Sequence, residues 1–219
     1  MHNSINNLTI IRKELSKILS TNINANPKIV AVTKTFGIEE ILPILDFGHL
    51  DFGENKVQEA IEKWSGIKLR YPNINLHMLG KIQTNKVKYL LPLFDYVHSL
   101  DNLKLAEKIS NEEIKKNKKL KIFIQVNIGN ENQKNGIAIN ELESFYNECV
   151  NNLGLKIIGL MCLPPKTIDP SNFFLNLNNL AAKLNLKELS MGMSEDYVKA
   201  AKMGATYLRI GSKIFGDRT

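Results

Sequence analysis

The segment Ile29-Val30-Ala31-Val32-Thr33-Lys34-Thr35 is a short run of apolar and β-branched residues that ends in a lysine. It is too short for a helix, and its composition predicts a β-strand. In parallel α/β folds, ligands meet side chains at the carboxyl ends of the strands. A lysine held there, partly desolvated and near other cations, loses proton affinity and becomes an amine that attacks aldehydes. A surface lysine that closes a strand is the ordinary alternative, and the rest of the chain decides between the two.

The composition of the chain fits one globular domain. Its 219 residues are 43% hydrophobic and 23% charged, which is enough for a sizeable core. No apolar run is long enough to span a bilayer, and the first residues lack the blocks of a secretion signal. The cysteines, Cys149 and Cys162, have no metal or redox spacing, so we expect reduced thiols in a cytoplasmic protein without a metal site.

The net charge of +7 does not indicate a nucleic-acid partner, because the lysines are scattered along the chain. The one dense cluster, Lys115-Lys116-Asn117-Lys118-Lys119, falls between a helical pattern and a strand, where a solvated connection is expected. No DNA- or RNA-binding motif accompanies it. We therefore predict neither nucleic acid nor membrane as a partner.

An amphipathic helix is predicted within residues 1–22, and strand and helix patterns then alternate eight times. The predicted strands are 28–33, 49–53, 75–79, 96–99, 121–127, 156–160, 186–190 and 206–209. The predicted helices begin near Ile38, Lys56, Thr84, Asn102, Asn140, Asn172, Glu195 and Ser212. Asp101 and Ser194 are candidate N-caps.

Eight such units predict a single (β/α)8 TIM barrel over residues 1–219, with the first helix packed on the barrel. A doubly wound open sheet is the alternative. Its first turn is usually rich in glycine, whereas here it reads Thr33-Lys34-Thr35-Phe36-Gly37, which is no dinucleotide fingerprint.

The turns after strands seven and eight favour a phosphate site. They read Ser190-Met191-Gly192-Met193-Ser194 and Arg209-Ile210-Gly211-Ser212. Barrels of this type often bind phosphate with these two loops, because glycine lets backbone N–H groups approach an anion and serine adds a hydroxyl donor. The ordinary alternative is a pair of turns with capping serines.

An amine after strand one and a phosphate site after strands seven and eight fit an aldehyde that bears a phosphate. Pyridoxal 5′-phosphate is the economical choice. Arg209 is expected to face the pyridine nitrogen, where a permanently charged donor weakens the ring as an electron sink. Met161 is expected on a ring face, although a core methionine is nearly as good an interpretation.

The chain resembles the pyridoxal phosphate homeostasis proteins, whose barrel is similar to the N-terminal domain of alanine racemase and belongs to fold type III. The resemblance is carried by these segments: Ala31-Val32-Thr33-Lys34, Phe52-Gly53-Glu54-Asn55-Lys56, His77-Met78-Leu79-Gly80-Lys81-Ile82-Gln83, Gly159-Leu160-Met161 and the two turns above. It implies that Lys34 holds the cofactor as an internal aldimine and that the regions of Ser194 and Gly211-Ser212 contact its phosphate. The expected cofactor-binding residues are Lys34, Asn55, His77, Met161, Ser190, Gly192, Met193, Ser194, Arg209, Gly211 and Ser212.

The resemblance implies a binding protein of vitamin B6 and amino-acid homeostasis that delivers the cofactor, with apo-enzymes as recipients and no catalytic residue. Racemases that resemble this barrel add a second domain and an opposing tyrosine base, and the sequence indicates neither. Racemisation requires a positioned acid–base group on each face of the substrate carbon. We expect a monomer. A weak amino-acid racemase and a cofactor-free barrel for sugar phosphates are the alternatives.

Overall fold

The computed structural model describes residues 2–19, 26–131, 135–165 and 168–216. Its strands form a closed parallel barrel in which each strand pairs with the next along the chain and the last pairs with the first. The strands are β1 Lys28–Val32, β2 Asp51–Glu54, β3 Asn75–Met78, β4 Tyr96–Leu100, β5 Lys121–Val126, β6 Ile157–Cys162, β7 Glu188–Ser190 and β8 Tyr207–Ile210. The predicted (β/α)8 barrel is confirmed, and all eight strands lie within two residues of their predicted bounds.

Helices surround the barrel. They are α1 Asn3–Ile18, α2 Ile38–Asp46, α3 Val57–Arg70, α4 Leu90–Leu93, α5 Leu103–Lys116, α6 Leu142–Asn147, α7 Ser171–Lys183, α8 Tyr197–Lys202 and α9 Ser212–Phe215. Helix α1 buries Leu8, Ile11 and Leu15 and packs against α2, α8 and α9. Of the predicted opening segment 1–22, residues 1 and 20–22 lie outside the described residues. No helix in the described ranges is both long enough and apolar enough to cross a membrane.

Several helix starts differ from the prediction. The units that follow β3 and β5 begin with 3-10 turns, Thr84–Tyr89 and Ile139–Glu141. Asn102, not Asp101, caps α5, because its side-chain oxygen accepts the Leu105 N–H at 2.9 Å. The prediction of Ser194 as the cap of the seventh helix is also wrong, since α8 begins at Tyr197 and Ser194 bonds to a different turn.

Alternate residues of β1 face opposite sides of the barrel wall, as a strand requires. Ile29 and Ala31 join the core between strands and helices, whereas Val30 and Val32 join a separate cluster in the barrel interior. The interior cluster also holds Leu79, Tyr96, Phe123, Met161 and Tyr207. The same alternation carries Lys34, two residues after Val32, to the interior side at the carboxyl end of the barrel.

Two glycines test how tightly the wall of the barrel is packed. A Cβ on Gly159 in β6 would lie 1.9 Å from the Glu188 carbonyl oxygen in β7, so Gly159→Ala must push two strands apart. We expect it to lower the free energy of unfolding by about 1–3 kcal/mol. The matched control is Gly66→Ala in α3, where nothing lies within 4 Å and alanine should stabilise by about 0.5–1 kcal/mol. Urea denaturation followed by circular dichroism measures both, and equal shifts in one direction would contradict this packing.

Candidate functional site

A cavity of about 470 Å³ opens at the carboxyl ends of the strands. Pockets of this size hold small molecules and cofactors. Its lining comprises Val32, Lys34, Phe36, Asn55, Leu79, Met161, Leu163, Pro164, Pro165, Ile168, Pro170, Met193, Ser194, Glu195, Asp196, Lys199, Arg209, Gly211, Ser212 and Gly216. The cavity therefore combines an apolar wall with cationic groups, hydroxyl groups and the two carboxylates of Glu195 and Asp196.

The structure brings most of the predicted site residues to this one cavity. Those that line it are Lys34, Asn55, Met161, Met193, Ser194, Arg209, Gly211 and Ser212. Three predicted residues are placed elsewhere: Ser190 and His77 are fully buried in the barrel, and Gly192, in the turn after β7, packs against α8 and β8. Direct contact of these three with a ligand stays a prediction.

The turn that carries Lys34 is fixed from behind by Glu54, which is fully buried at the end of β2. Its Oε1 atom accepts hydrogen bonds from the Thr33 hydroxyl at 2.7 Å and from the Trp64 indole N–H at 2.9 Å. The third donor is the Lys63 ammonium, also at 2.9 Å. Hydrogen bonds to charged groups are stronger than neutral ones, so this carboxylate anchors the strand end directly before Lys34.

Lys63 and Glu59 extend this anchor across the turn itself. Lys63 donates to the Thr33 carbonyl oxygen at 2.7 Å, and Glu59 accepts the Thr35 N–H at 2.7 Å. Thr35 has φ of 71°, a left-handed conformation that a β-branched residue rarely adopts. Partial burial raises the pKa of Glu59, but the hydrogen bonds from Thr35 and Lys63 outweigh it and lower the pKa overall. Residues on both sides of Lys34 are thus held by one charged network.

The turns after β7 and β8 are joined through Ser194. Its hydroxyl oxygen accepts the backbone N–H groups of Gly211 and Lys213, each at 3.3 Å. Gly192 has φ of +88°, and a Cβ there would lie 2.5 Å from the Ala200 Cβ. Its carbonyl oxygen accepts the Arg209 N–H at 2.9 Å. Glycine is therefore required at Gly192 for the turn and for its packing, and the two predicted loops form one unit.

Arg209 is a buried guanidinium at the base of the cavity. Its Nη1 donates to the Ser190 hydroxyl at 2.7 Å, and its Nη2 donates to the Cys162 carbonyl oxygen at 2.9 Å. Burial lowers the pKa of Arg209. Two of its five N–H groups are used in this way, so the planar fork is fixed while the side chain still lines the cavity.

Sequence reasoning did not identify His98, which is fully buried beneath the cavity. Its Nδ1 lies 2.7 Å from the Ser190 Oγ, and its Nε2 lies 3.0 Å from the Nδ1 of His77. Burial lowers the pKa of His98 well below its ordinary value, and His77 and Arg209 lower it further. The available signal was the position of His77 and His98 on neighbouring strands, both on the interior side.

Comparison with known proteins places the chain in a family. The sequence model of the alanine racemase N-terminal domain matches residues 7–219. The pyridoxal phosphate homeostasis protein of Synechocystis sp. strain PCC 6803 is 36% identical over 212 residues, which cover 93% of this chain and 96% of that protein. The one from Escherichia coli strain K12 is 31% identical over 230 aligned positions, with 100% and 98% covered. The chain belongs to the pyridoxal phosphate homeostasis protein family.

Solved structures agree with this assignment. PipY of Synechococcus elongatus PCC7942, whose structure was determined with PLP bound, has a TM-score of 0.82 at 30% identity and is covered over its full length. The alanine racemase of Corynebacterium glutamicum has a TM-score of 0.68 at 14% identity, so it shares the fold alone. The matched region covers 97% of this chain but only 61% of that racemase.

Glu54 offers a test of the anchor behind Lys34 in this homeostasis family member. Glu54→Ala leaves the buried Trp64 N–H and the Thr33 hydroxyl without their acceptor, while Lys63 keeps Glu59 and the Thr33 carbonyl oxygen. We expect the free energy of unfolding to fall by about 2–5 kcal/mol, because each buried donor left without a partner costs about 1–3 kcal/mol. The control is Glu62→Ala on α3, since the exposed Glu62 only accepts a hydrogen bond from the Gln58 side chain. That change should stay within about 0.5 kcal/mol in the same denaturation experiment, and similar losses in both variants would argue against the anchor.

Proposed function

We propose that this protein binds pyridoxal 5′-phosphate through a Schiff base on Lys34 and acts as a carrier in vitamin B6 and amino-acid homeostasis. The observation that carries the proposal is the convergence of Lys34, Arg209, Ser194 and Ser212 on one cavity. A primary amine, a fixed guanidinium and two hydroxyls are the groups that an aldehyde, a pyridine nitrogen and a phosphate require. The family of the chain and the PLP-bound structure of the similar protein PipY support it.

Lys34 supplies the covalent link in this proposal. Pyridoxal 5′-phosphate contributes an aldehyde, to which amines add reversibly. The Lys34 nitrogen forms a bond to the aldehyde carbon and gives up its two protons, which leave with the aldehyde oxygen as water. Addition of water reverses the reaction and restores the amine. A carrier needs this reversibility, because the ligand must be released intact.

The phosphate would be held by the joined turns after β7 and β8. Ser194 and Ser212 offer hydroxyl groups, and the backbone of Gly211 lies between them on the cavity wall. A Cβ on Gly211 would lie 3.3 Å from the Val32 carbonyl oxygen, so a larger residue would press against the end of β1. Close approach of backbone N–H groups to an anion is the recurring use of glycine in such loops.

Arg209 and the apolar lining would position the ring. The guanidinium only donates hydrogen bonds, so it keeps a pyridine nitrogen that faces it unprotonated and weakens the ring as an electron sink. Val32, Leu79 and Met161 provide the apolar wall on which the ring rests. These residues favour storage of the cofactor over chemistry on a bound amino acid.

The carrier role is preferred to a racemase because the cavity offers no tyrosine. All six tyrosines of the chain lie in its described part, and none of them lines the cavity. Racemisation needs positioned acid–base groups on both faces of the substrate carbon. The similar proteins matched over nearly their whole length are named as homeostasis proteins.

We further propose that the protein works in the cytoplasm as a monomer and passes its ligand to apo-enzymes. Cys149 and Cys162 are both free and buried, as is usual in a reducing compartment. Burial raises the pKa of each thiol to about 12, so neither is a reactive nucleophile.

Borohydride reduction tests the role of Lys34. Loaded protein treated with borohydride should carry one adduct on the peptide that contains Lys34, located by mass spectrometry. The matched control is Lys199, which lines the same cavity but pairs with Asp169. Lys34→Ala should abolish the adduct and Lys199→Ala should retain it, because only Lys34 stands at the end of β1. A stoichiometric adduct on another lysine of the unmutated protein would overturn the assignment.

Pyridoxal, which lacks the phosphate, should bind at least about tenfold more weakly than pyridoxal 5′-phosphate, because it loses the hydrogen bonds to a charged group.

Transfer and turnover assays separate carrier from enzyme. Incubation of the loaded protein with an apo-enzyme should restore that enzyme's activity, because the covalent link is reversible. A chiral assay on alanine and serine should show racemisation far below that of a dedicated racemase, since each missing acid–base group costs about 10²–10⁴-fold in rate. Rapid racemisation of either amino acid would promote the enzyme interpretation.

A further inference from the structure

Five polar side chains from five strands form a continuous line of hydrogen bonds across the barrel interior, beneath the cavity. We call it the polar chain; its members in order are Arg209, Ser190, His98, His77 and Asp51. The first two contacts, Arg209 Nη1 to Ser190 Oγ and Ser190 Oγ to His98 Nδ1, measure 2.7 Å each. The last two, His98 Nε2 to His77 Nδ1 and His77 Nε2 to Asp51 Oδ1, measure 3.0 Å each.

The two ends of the polar chain allow only one direction of donation. Arg209 only donates and an ionised Asp51 only accepts, whereas a neutral histidine has one donor and one acceptor nitrogen. The Ser190 hydroxyl must then accept from Arg209 and donate to His98. Each histidine in turn must carry its proton on Nε2 and leave Nδ1 as the acceptor. One hydrogen-bond pattern thus satisfies all five groups.

The surroundings of the two histidines favour this neutral pattern. Both rings are fully buried: Tyr96 stacks on His77 at 4.2 Å between ring centroids, and Phe123 stacks on His98 at 4.3 Å. Burial lowers the pKa of both histidines. The ring of Tyr207 packs against both, at 5.9 Å from each. The rings are therefore held in place without a charge of their own.

Asp51 is held as an acceptor at the far end of the polar chain. Burial raises its pKa, but the hydrogen bond from His77 and the nearby Lys28 ammonium help to outweigh burial, so the pKa is lowered. Its Oδ1 also accepts the Asn75 amide at 3.1 Å. Asp51 does not line the cavity.

Arg209 has no ion pair with a carboxylate anywhere in the described ranges of the chain. A buried charge without a partner is costly, so its hydrogen bonds must orient it. The Cys162 carbonyl provides one acceptor, and the polar chain provides the other through Ser190.

We propose that His98, His77 and Asp51 are positioning residues that fix Arg209 toward the pyridine nitrogen of the bound cofactor through this one-way chain of hydrogen bonds. The inference rests on the proposed function for its ligand, whereas the direction of donation along the polar chain is a property of the protein alone. Loss of the acceptor at Asp51 frees His77 to exchange its proton between nitrogens. The exchange passes through His98 to Ser190 and loosens Arg209, which lies four hydrogen bonds from the changed side chain along the polar chain.

The experiment uses a matched set of variants. Asp51→Leu removes the terminal acceptor at nearly the same size, and Asp51→Asn keeps an oxygen acceptor. Ser190→Ala breaks the line next to Arg209 and serves if Asp51→Leu does not fold. Tyr96→Phe is the control, because it keeps the stacking on His77 and removes a hydroxyl that bonds to Lys121 and Tyr207 but to no member of the polar chain.

The first measurement needs no cofactor. Nitrogen-15 NMR of the ligand-free protein should show both histidines with a protonated Nε2 and a bare Nδ1. This single pattern should persist in Asp51→Asn and Tyr96→Phe and be lost at His77 in Asp51→Leu. Histidines that are charged or mixed in the unmutated protein at neutral pH would overturn the proposal.

The second measurement follows bound pyridoxal 5′-phosphate. Asp51→Leu and Ser190→Ala should lower its affinity about tenfold and shift its absorption maximum, while Asp51→Asn and Tyr96→Phe stay close to the unmutated protein. At saturating ligand, all variants should still form the Lys34 adduct, since the covalent link does not use the polar chain. If Asp51→Leu and Ser190→Ala both bind the cofactor with the affinity and absorption spectrum of the unmutated protein, the positioning role is refuted. If the unmutated protein binds no ligand, the proposed function fails. The NMR result still decides the direction of donation along the polar chain.

Discussion

The pairing of β8 with β1 is the constraint on which the rest of the site depends. It closes the barrel and sets Val30 beside Arg209 in register. Lys34, four residues after Val30, then stands above the guanidinium at the carboxyl end of the same two strands. A slip of one residue in this register would turn one of the two side chains to the wrong face of the wall, because the period of a strand is two residues. Closure thus sets the distance between the amine and the cation, which lie far apart in sequence.

The interior of this barrel is unusual in carrying a line of buried polar side chains beneath the cavity. Barrels of this type normally fill their interior with layers of branched apolar side chains. Here two histidines, a serine and an arginine share that space with aromatic rings and with the apolar side chains of the interior cluster, and the rings of Tyr96 and Phe123 stack on the histidines. Buried polar groups are costly unless every one is satisfied. The single direction of donation from Arg209 to Asp51 meets that requirement without a charge on either histidine.

The sequence predicted the fold and much of the site because both depend on local patterns. Strand periodicity placed Lys34 at the end of β1, and glycine and serine after two strands marked the turns at Ser194 and Ser212. His98 and the anchor of Glu54 were not predicted, since their roles come from contacts between strands and helices that no local pattern encodes. Ser194 was assigned to the wrong helix for the same reason: its hydroxyl reaches across to Gly211 and Lys213 instead of capping the segment that follows it.

Glu54 and Arg209 hold the two sides of the cavity in different ways. Glu54 fixes the Lys34 turn with an ion-paired hydrogen bond from Lys63 and with charge-assisted hydrogen bonds from Thr33 and Trp64. The hydrogen bonds of Arg209 are also charge-assisted, but both acceptors are neutral, so none of them joins opposite charges as the bond from Lys63 to Glu54 does. The Lys34 amine, for which we propose the covalent link, therefore stands beside an ion-paired anchor, while the Arg209 guanidinium depends on a line of hydrogen bonds to neutral groups. For the proposed carrier, this division would let the contacts to the ring loosen while the proposed covalent link is still in place.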